Sequence, residues 1–171
     1  MVRHFAGDGR EFGLVVDYSF DGPVLRGTAG AIHAALPLLG DAFFVLYGDS
    51  YLPCDYGQVE EAFVEAGKTG LMTVFRNEGQ WDSSNVEFAG GRILAYDKNT
   101  RTPWMRYIDY GLGVFERRAF RALAPESVYD LAALYRDLLA AGELAAYEVK
   151  ERFYEIGSVA GIRDLSETLK Q

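Results

Sequence analysis

Gly27-Thr28-Ala29-Gly30-Ala31, followed by Ala42-Phe43-Phe44-Val45-Leu46-Tyr47-Gly48-Asp49, is the stretch from which the rest of this chain can be read. The first part is a small-residue turn opening into a helix. Thr28 is placed to cap its first turn, and Gly27 and Gly30 leave room for a flat ligand against the backbone. The second part is a continuous apolar run, which reads as a strand buried in a parallel sheet. Its terminal Asp49 then emerges at the carboxyl edge of that sheet, where open α/β sheets bind ligands. One carboxylate there can hold a divalent cation beside phosphates. Gly-Asp after a strand is also ordinary turn chemistry, and both readings of Asp49 stand at this point.

Composition narrows the classes. A chain of 171 residues is one domain, large enough to bury a real core, and 49% apolar with 25% charged residues is ordinary for a globular protein. A formal charge of −8 argues against a polyanion-binding surface, so nucleic acid is not an expected partner. A nucleotide is not excluded, because its phosphates need only a metal and a few local donors. Cys54 is the only cysteine, so no internal disulfide can form and a reducing compartment fits. No signal peptide or long apolar span is visible, which reads as a cytoplasmic chain with no membrane partner. His4 and His33 are the only histidines, which disfavours a His-based metal cluster or a Ser-His-Asp triad.

Outward from the opening stretch, elements alternate. Residues 1–9 are polar and Gly-rich, Phe12 to Tyr18 reads as a strand, and Asp21-Gly22-Pro23 is a turn. Pro37 ends or kinks the helix begun at Ala29. After a loop at Ser50 to Pro53, Asp55 is an N-cap with Gln58 three residues on. Val59, Ala62, Phe63 and Ala66 form a helical core stripe closed by Gly67. Leu71 to Phe75 is the next buried strand, and this strand–helix–strand rhythm implies parallel pairing with right-handed crossovers. Arg76 to Ser84 is a long polar loop carrying Trp81, either a lid or an oligomer contact. A hairpin follows, Asn85 to Phe88 and Arg92 to Tyr96 about Gly90-Gly91, leading directly into Asp97-Lys98. On spacing alone Lys98 is a solvated turn lysine. Ile108 to Phe115 is a strand holding Gly111 and Gly113, which points to a bulge or a close backbone approach. Asp109 within it is either a ligand group or a strand-edge charge. Leu131, Leu134, Tyr135 and Leu138 make a second helical stripe ended by Gly142. Ser158 is placed as the N-cap of a last helix carrying Ile162, Leu165 and Leu169; Glu155 before it is a strand-end charge on spacing alone.

In this order the motifs resemble those of the sugar-1-phosphate nucleotidyltransferases, with the closest likeness to the mannose- or heptose-1-phosphate guanylyltransferase branch. The resemblance runs from Phe12 to about Leu165. It implies an α/β fold, a Rossmann-like mostly parallel sheet flanked by helices, forming a single domain over residues 1–171. It also implies joining of a nucleoside triphosphate, GTP favoured, to a sugar 1-phosphate, with release of pyrophosphate. Residue by residue it assigns Gly27, Thr28, Ala29 and Gly30 to the nucleotide, and Asn85, Asp109, Tyr110 and Gly111 to the sugar. Lys98 goes to the sugar phosphate, and Asp49 with Glu155 to Mg²⁺. Glu155 and Ser158 stand at the Asp and Thr of the family's Trp-x-Asp-x-Gly-Thr signature, and Asn99 replaces the proline that usually follows the lysine. Lys150 lies close enough in sequence to serve a phosphate as well.

The front of the chain departs from the pattern. The family's opening strand and Gly-x-Gly-Thr-Arg-x-x-Pro-x-Thr loop, the usual phosphate cradle, have no counterpart here. The chain therefore reads as incomplete at its N-terminus, with an expected tendency to associate, a homo-oligomer among the outcomes, and no turnover alone. Two other functions compete: an inactive sugar-nucleotide-binding subunit with a regulatory or oligomerising role, and a glycosyltransferase. The latter usually carries Asp-x-Asp, where this chain has Asp49-Ser50-Tyr51.

Overall fold

In the computed structural model, which describes residues 2–170, the apolar runs become one mixed sheet and the amphipathic stretches become helices packed on it. The two ends of the expected 1–171 domain, Met1 and Gln171, lie outside the described residues. In chain order the elements are α1 (Val2–Ala6), α2 (Gly27–Ala35), β1 (Ala42–Leu46), β2 (Ser50–Tyr51) and α3 (Tyr56–Ala66). Then come β3 (Gly70–Arg76), β4 (Val86–Ala89), β5 (Arg92–Tyr96) and β6 (Tyr107–Glu116). The chain closes with α4 (Leu131–Ala140), β7 (Leu144–Val149), β8 (Tyr154–Glu155) and α5 (Val159–Thr168).

The main sheet has six strands in the order β5-β4-β6-β3-β7, with β1 also paired to β6. β6 runs antiparallel to β1, β3 and β4, and β7 runs parallel to β3. The codirectional strands β1, β3, β4 and β7 are thus the majority, as expected for this α/β class, but β6 separates β1 from β3. The crossover through α3 sets β1 and β3 in one direction without making them neighbours. A separate two-stranded sheet pairs β2 with β8.

Helices cover both faces, and each face has its own core. Ala29 of α2 and Leu131, Leu134, Tyr135 and Leu138 of α4 pack with Met72, Val74 and Phe115. On the other face Val59 and Phe63 of α3 pack with Leu71, Tyr110, Leu112 and Val114. Burying each of the Val, Leu, Met and Phe side chains among these contributes about 1.5–3 kcal/mol. The α3 signals act as read: the Asp55 carboxylate accepts from the amides of Gly57 (2.9 Å) and Gln58 (3.2 Å), and Gly67 ends the helix at φ 60°. Ser158 caps α5 by accepting from Gly161 N (3.0 Å). Pro37 falls in a 3-10 turn over Leu36–Leu38, where α2 has already stopped.

Four expectations are corrected. Phe12 to Tyr18 is not a strand: Phe12 closes a 3-10 turn, and the amides of Leu14 and Val16 bond back to Gly9 and Asp8, leaving Val15 91% exposed. Ala42 to Leu46 is a strand, but an antiparallel one buried on one face only; Phe44 and Leu46 reach solvent, and β6 is its one strand partner among the described residues. Ser50 and Tyr51, expected in a loop, form β2. Thr28 does not cap its own helix. Its hydroxyl accepts from Leu131 N (2.7 Å) and donates to Asp130 Oδ1 (3.2 Å), capping α4 instead. Among the described residues no helix is long and apolar enough to cross a membrane.

Candidate active site

The site begins with a defect in β6. Opposite Met72 and Val74 of β3 stand Gly113 and Asp109, so β6 spends four positions where β3 spends two. Gly111, at φ 96°, makes the detour, a conformation that favours glycine. The strand's other glycine answers the close approach: a Cβ on Gly113 would run into the Tyr135 hydroxyl. Thr73, fully buried, donates to the Leu112 carbonyl (2.6 Å) across the bulge.

Within the bulge the Asp109 carboxylate is fixed on both oxygens, accepting from Gly111 N (3.1 Å) and from the Tyr96 hydroxyl (3.2 Å). Its own amide donates to Asn85 Oδ1 (3.0 Å). Burial pushes the Asp109 carboxyl above its ordinary range, while the Lys98 ammonium, the Gly111 amide and the Tyr96 hydroxyl oppose that rise. Tyr47 and Tyr96 are raised chiefly by burial and next by the Asp109 charge, so both remain neutral phenols. Lys98 Nζ stands 5.8 Å from the centre of the Tyr47 ring.

The short β2–β8 ladder supplies the second feature. Ser50 lies opposite Glu155, and Ile156 N donates to the Asp49 carbonyl (2.7 Å). A Cβ on Gly157 would sit 3.1 Å from Asp49 Oδ2, so the glycine lets the carboxylate lie against the backbone. Burial, then the charges of Asp82 and Asp49, raise the Glu155 carboxyl. These groups meet at a cavity of about 330 Å³ lined by Tyr47, Ser50, Asn85, Lys98, Asp109 and Glu155. Asp82, Ser83, Arg101, Ile108, Phe153 and the Tyr110-Gly111 backbone step complete its wall.

No protein-family model matches the chain. Solved structures do. A Bacillus anthracis protein assigned as a glucose-1-phosphate thymidylyltransferase, in complex with a sucrose, superposes with a TM-score of 0.85 at 18% identity. The match covers 99% of this chain and 71% of that one. HddC from Yersinia pseudotuberculosis complexed with GMP-PN matches at TM-score 0.74 and 16% identity, over 97% of this chain and 73% of that one. The inositol-1-phosphate CTP transferase from T. maritima matches at 0.63 and 16%, over 85% and 63%. The fold is that of the sugar-phosphate nucleotidyltransferases.

On this nucleotidyltransferase fold the residues expected for the sugar and its phosphate, Asn85, Lys98, Asp109, Tyr110 and Gly111, share one cavity with Glu155, one of the two carboxylates expected for the metal. Tyr110 is 2% exposed as a residue, and its ring packs on Phe75 and Phe153 in the second core. Asp49, the other expected metal carboxylate, is exposed next to Glu155, its carbonyl bonded to Ile156 N, and does not line the cavity. The turn 27–30 is outside this cavity. The Tyr129 carbonyl accepts from Ala29 N (2.9 Å) and Gly30 N (3.1 Å). A Cβ on Gly27 would stand 2.5 Å from that same oxygen, and one on Gly30 2.7 Å from Ser127 O. The room expected for a flat ligand is filled here by the 127–129 backbone. Lys150 is 73% exposed, pairs with Glu148 (2.7 Å) and does not line the cavity, so its expected phosphate role has no support in this geometry.

Sequence reasoning missed Tyr47, Ser50, Asp82, Ser83, Arg101 and Phe153. Tyr47 and Ser50 flank the quoted Gly48-Asp49, so only their proximity to it could have flagged them. Asp82 and Ser83 belong to the loop after β3, which is built rather than loose. Asn77, fully buried, donates to Asp82 O (2.7 Å) and Ser84 Oγ (3.1 Å), and accepts from Trp81 N (3.2 Å). Beyond it the Arg152 guanidinium lies 3.4 Å from the Trp81 ring centre and 4.6 Å from that of Tyr154, and it bonds Asp164 of α5. The loop is thereby clamped as a wall of the site.

Proposed function

We propose that the cavity binds a sugar 1-phosphate and that the chain carries the acceptor half of a nucleotidyltransferase site. The observation that carries this reading is the convergence, at one cavity, of Lys98, the doubly held Asp109 and Glu155, with Asp49 next to Glu155 outside the lining. Lys98 supplies a point charge to the phosphate. Asp109, aimed by Asn85 and braced by Tyr96 and Gly111, accepts from sugar hydroxyls, and the Tyr110-Gly111 step brings bare backbone to the ring. Nucleotidyl transfer in this setting is attack by a sugar-phosphate oxygen on the α-phosphorus of a nucleoside triphosphate, GTP being favoured. The bond to pyrophosphate breaks as the new P–O bond forms. No protein nucleophile is needed; positioning and charge neutralisation do the work.

Asp49 and Glu155 suit Mg²⁺, because both are hard oxygen donors and Glu155, raised by burial and then by the charges of Asp82 and Asp49, has no cation of its own among the described residues. Among the described residues no cluster of three or more Asp, Glu, His or Cys side chains surrounds a single point. Mg²⁺ commonly takes only one or two carboxylates, with water and phosphate completing its shell. Bound there it would neutralise phosphate charge; Asp49 and Glu155 would hold it.

Titration calorimetry with mannose 1-phosphate, with and without Mg²⁺, tests the reading. We expect binding that tightens with Mg²⁺ and weakens about tenfold or more in Lys98→Gln, the loss of a charge-assisted contact. No binding at millimolar ligand by folded protein refutes it. Pyrophosphate release from GTP and mannose 1-phosphate then separates an enzyme from a binding-only subunit.

A further inference from the structure

Beside the site lies a larger cavity of about 770 Å³, and the wall between the two is shared: Asp82, Ser83 and Arg101 line both. Trp81, Thr102 and Arg106 line the larger one alone. Two features set its chemistry. First, among the described residues neither Arg101 nor Arg106 has a carboxylate within ion-pair distance. Of the two acids in the lining, Glu78 is held by Arg76 at 2.7 Å, and the Asp82 carboxylate, accepting from Ser83 N, sits in the wall shared with the first cavity, where its charge acts on Glu155. With Glu78 matched by Arg76, two guanidinium groups stand against the one carboxylate of Asp82, an excess of one positive charge. Second, its wall is rigid and partly unsatisfied. Trp81 is pinned by Arg152, which does not line the cavity, so the indole surface facing the cavity is the part Arg152 leaves free. Thr102 Oγ1 is buried in that wall without a protein hydrogen-bond partner. Guanidinium forks match phosphate and carboxylate oxygens in pairs and are worth most when no protein acid competes for them.

We propose that this second cavity receives an anionic group, a phosphate or a carboxylate, borne by the substrate's sugar away from its 1-phosphate. The inference rests on the sugar-phosphate reading above and narrows it: the acceptor is an acidic sugar phosphate. The shared wall is what links the two. A molecule whose 1-phosphate meets Lys98 passes Arg101 on its way to Arg106.

The experiment compares mannose 1-phosphate, mannose 1,6-bisphosphate and mannuronate 1-phosphate by calorimetry on the full chain, its Arg106→Gln variant and its Lys98→Gln variant. Arg106 is exposed and lines only the second cavity, so its replacement leaves the first intact. We expect one or both acidic sugars to bind about tenfold tighter than mannose 1-phosphate. Arg106→Gln should erase that difference while leaving mannose 1-phosphate unchanged. Preference for the bisphosphate alone identifies phosphate, and preference for the uronate alone identifies carboxylate. Equal affinities, or a preference that survives Arg106→Gln, overturns the inference. Failure of the underlying reading shows differently: none of the three then binds, or Lys98→Gln leaves all binding unchanged.

Discussion

Replacing Gly113 by alanine tests how tightly the site is braced from behind. A Cβ there would run into the Tyr135 hydroxyl and lie 2.8 Å from Phe115 Cε2. Tyr135 has little freedom to yield, being 2% exposed, 5.2 Å centre to centre from Phe115 and edge-on to Tyr96 at 5.9 Å. Overpacking of a tight core costs about 1–3 kcal/mol, and two clashes with aromatic groups put this case near ~3 kcal/mol. With a urea slope of about 2 kcal/mol/M for a chain of this size, the midpoint should fall by about 1.5 M. Tyr135→Phe removes only the hydroxyl. The double variant should therefore recover about 1 kcal/mol relative to additivity, the Phe115 clash remaining. Because Tyr96 also holds Asp109, Gly113→Ala should weaken mannose 1-phosphate binding although Gly113 does not line the cavity. A Gly113→Ala stability within about 0.5 kcal/mol of the parent, or strict additivity with Tyr135→Phe, would refute the argument.

Other expected outcomes follow the same geometry. Thr28→Val leaves the Leu131 amide without its cap and should cost about 1 kcal/mol by urea denaturation, with Thr28→Ser restoring most of it; no loss would mean the Thr28 contact is idle. Glu155 is raised above its ordinary 4.5, so the folded state holds its proton more tightly than the unfolded one, and stability falls as pH rises through that window. Glu155→Gln should accordingly stabilise the metal-free protein at pH 7, with the gain vanishing below about pH 4; a variant less stable at pH 7 contradicts the crowding of Asp49, Asp82 and Glu155. Arg152→Ala should release the loop that carries Trp81, seen as greater acrylamide quenching of Trp81 fluorescence in a Trp104→Phe background, whereas unchanged quenching would mean that the loop holds itself.

What was legible in the sequence was what is local. Asp55, Gly67 and the Val59–Phe63 stripe declare α3 because a cap and a 3.6-residue period need no distant partner. Gly111 and Gly113 announced an irregular strand for the same reason. β1 misled because an apolar run does not say whether its second face is covered: Phe44 and Leu46 have the composition of a buried strand and the environment of an edge. Thr28 misled because its hydroxyl serves an amide 103 residues away. Asn85, Lys98, Asp109 and Glu155 were named through resemblance, and their meeting depends on the bulge and on a two-residue ladder, both too short to leave a periodic signal. Asp82 and Arg101 sit in polar loops whose spacing has no period at all.

The detour in β6 has a consequence that turns on arithmetic. Its surplus over β3 is an even number of residues, and side chains on a strand alternate. Ile108 and Tyr110 before the turn therefore address the same core as Leu112 and Val114 after it, while Tyr107 and Phe115 share the opposite one. The hairpin shows the other arrangement: β5 carries a surplus of one opposite Glu87 and Phe88, and the added residue is absorbed locally, so that Ile93 and Tyr96 share a core across an odd interval. In β6 the alternation runs on unbroken, and a polar cleft is opened in the middle of a central strand while both cores keep their residues.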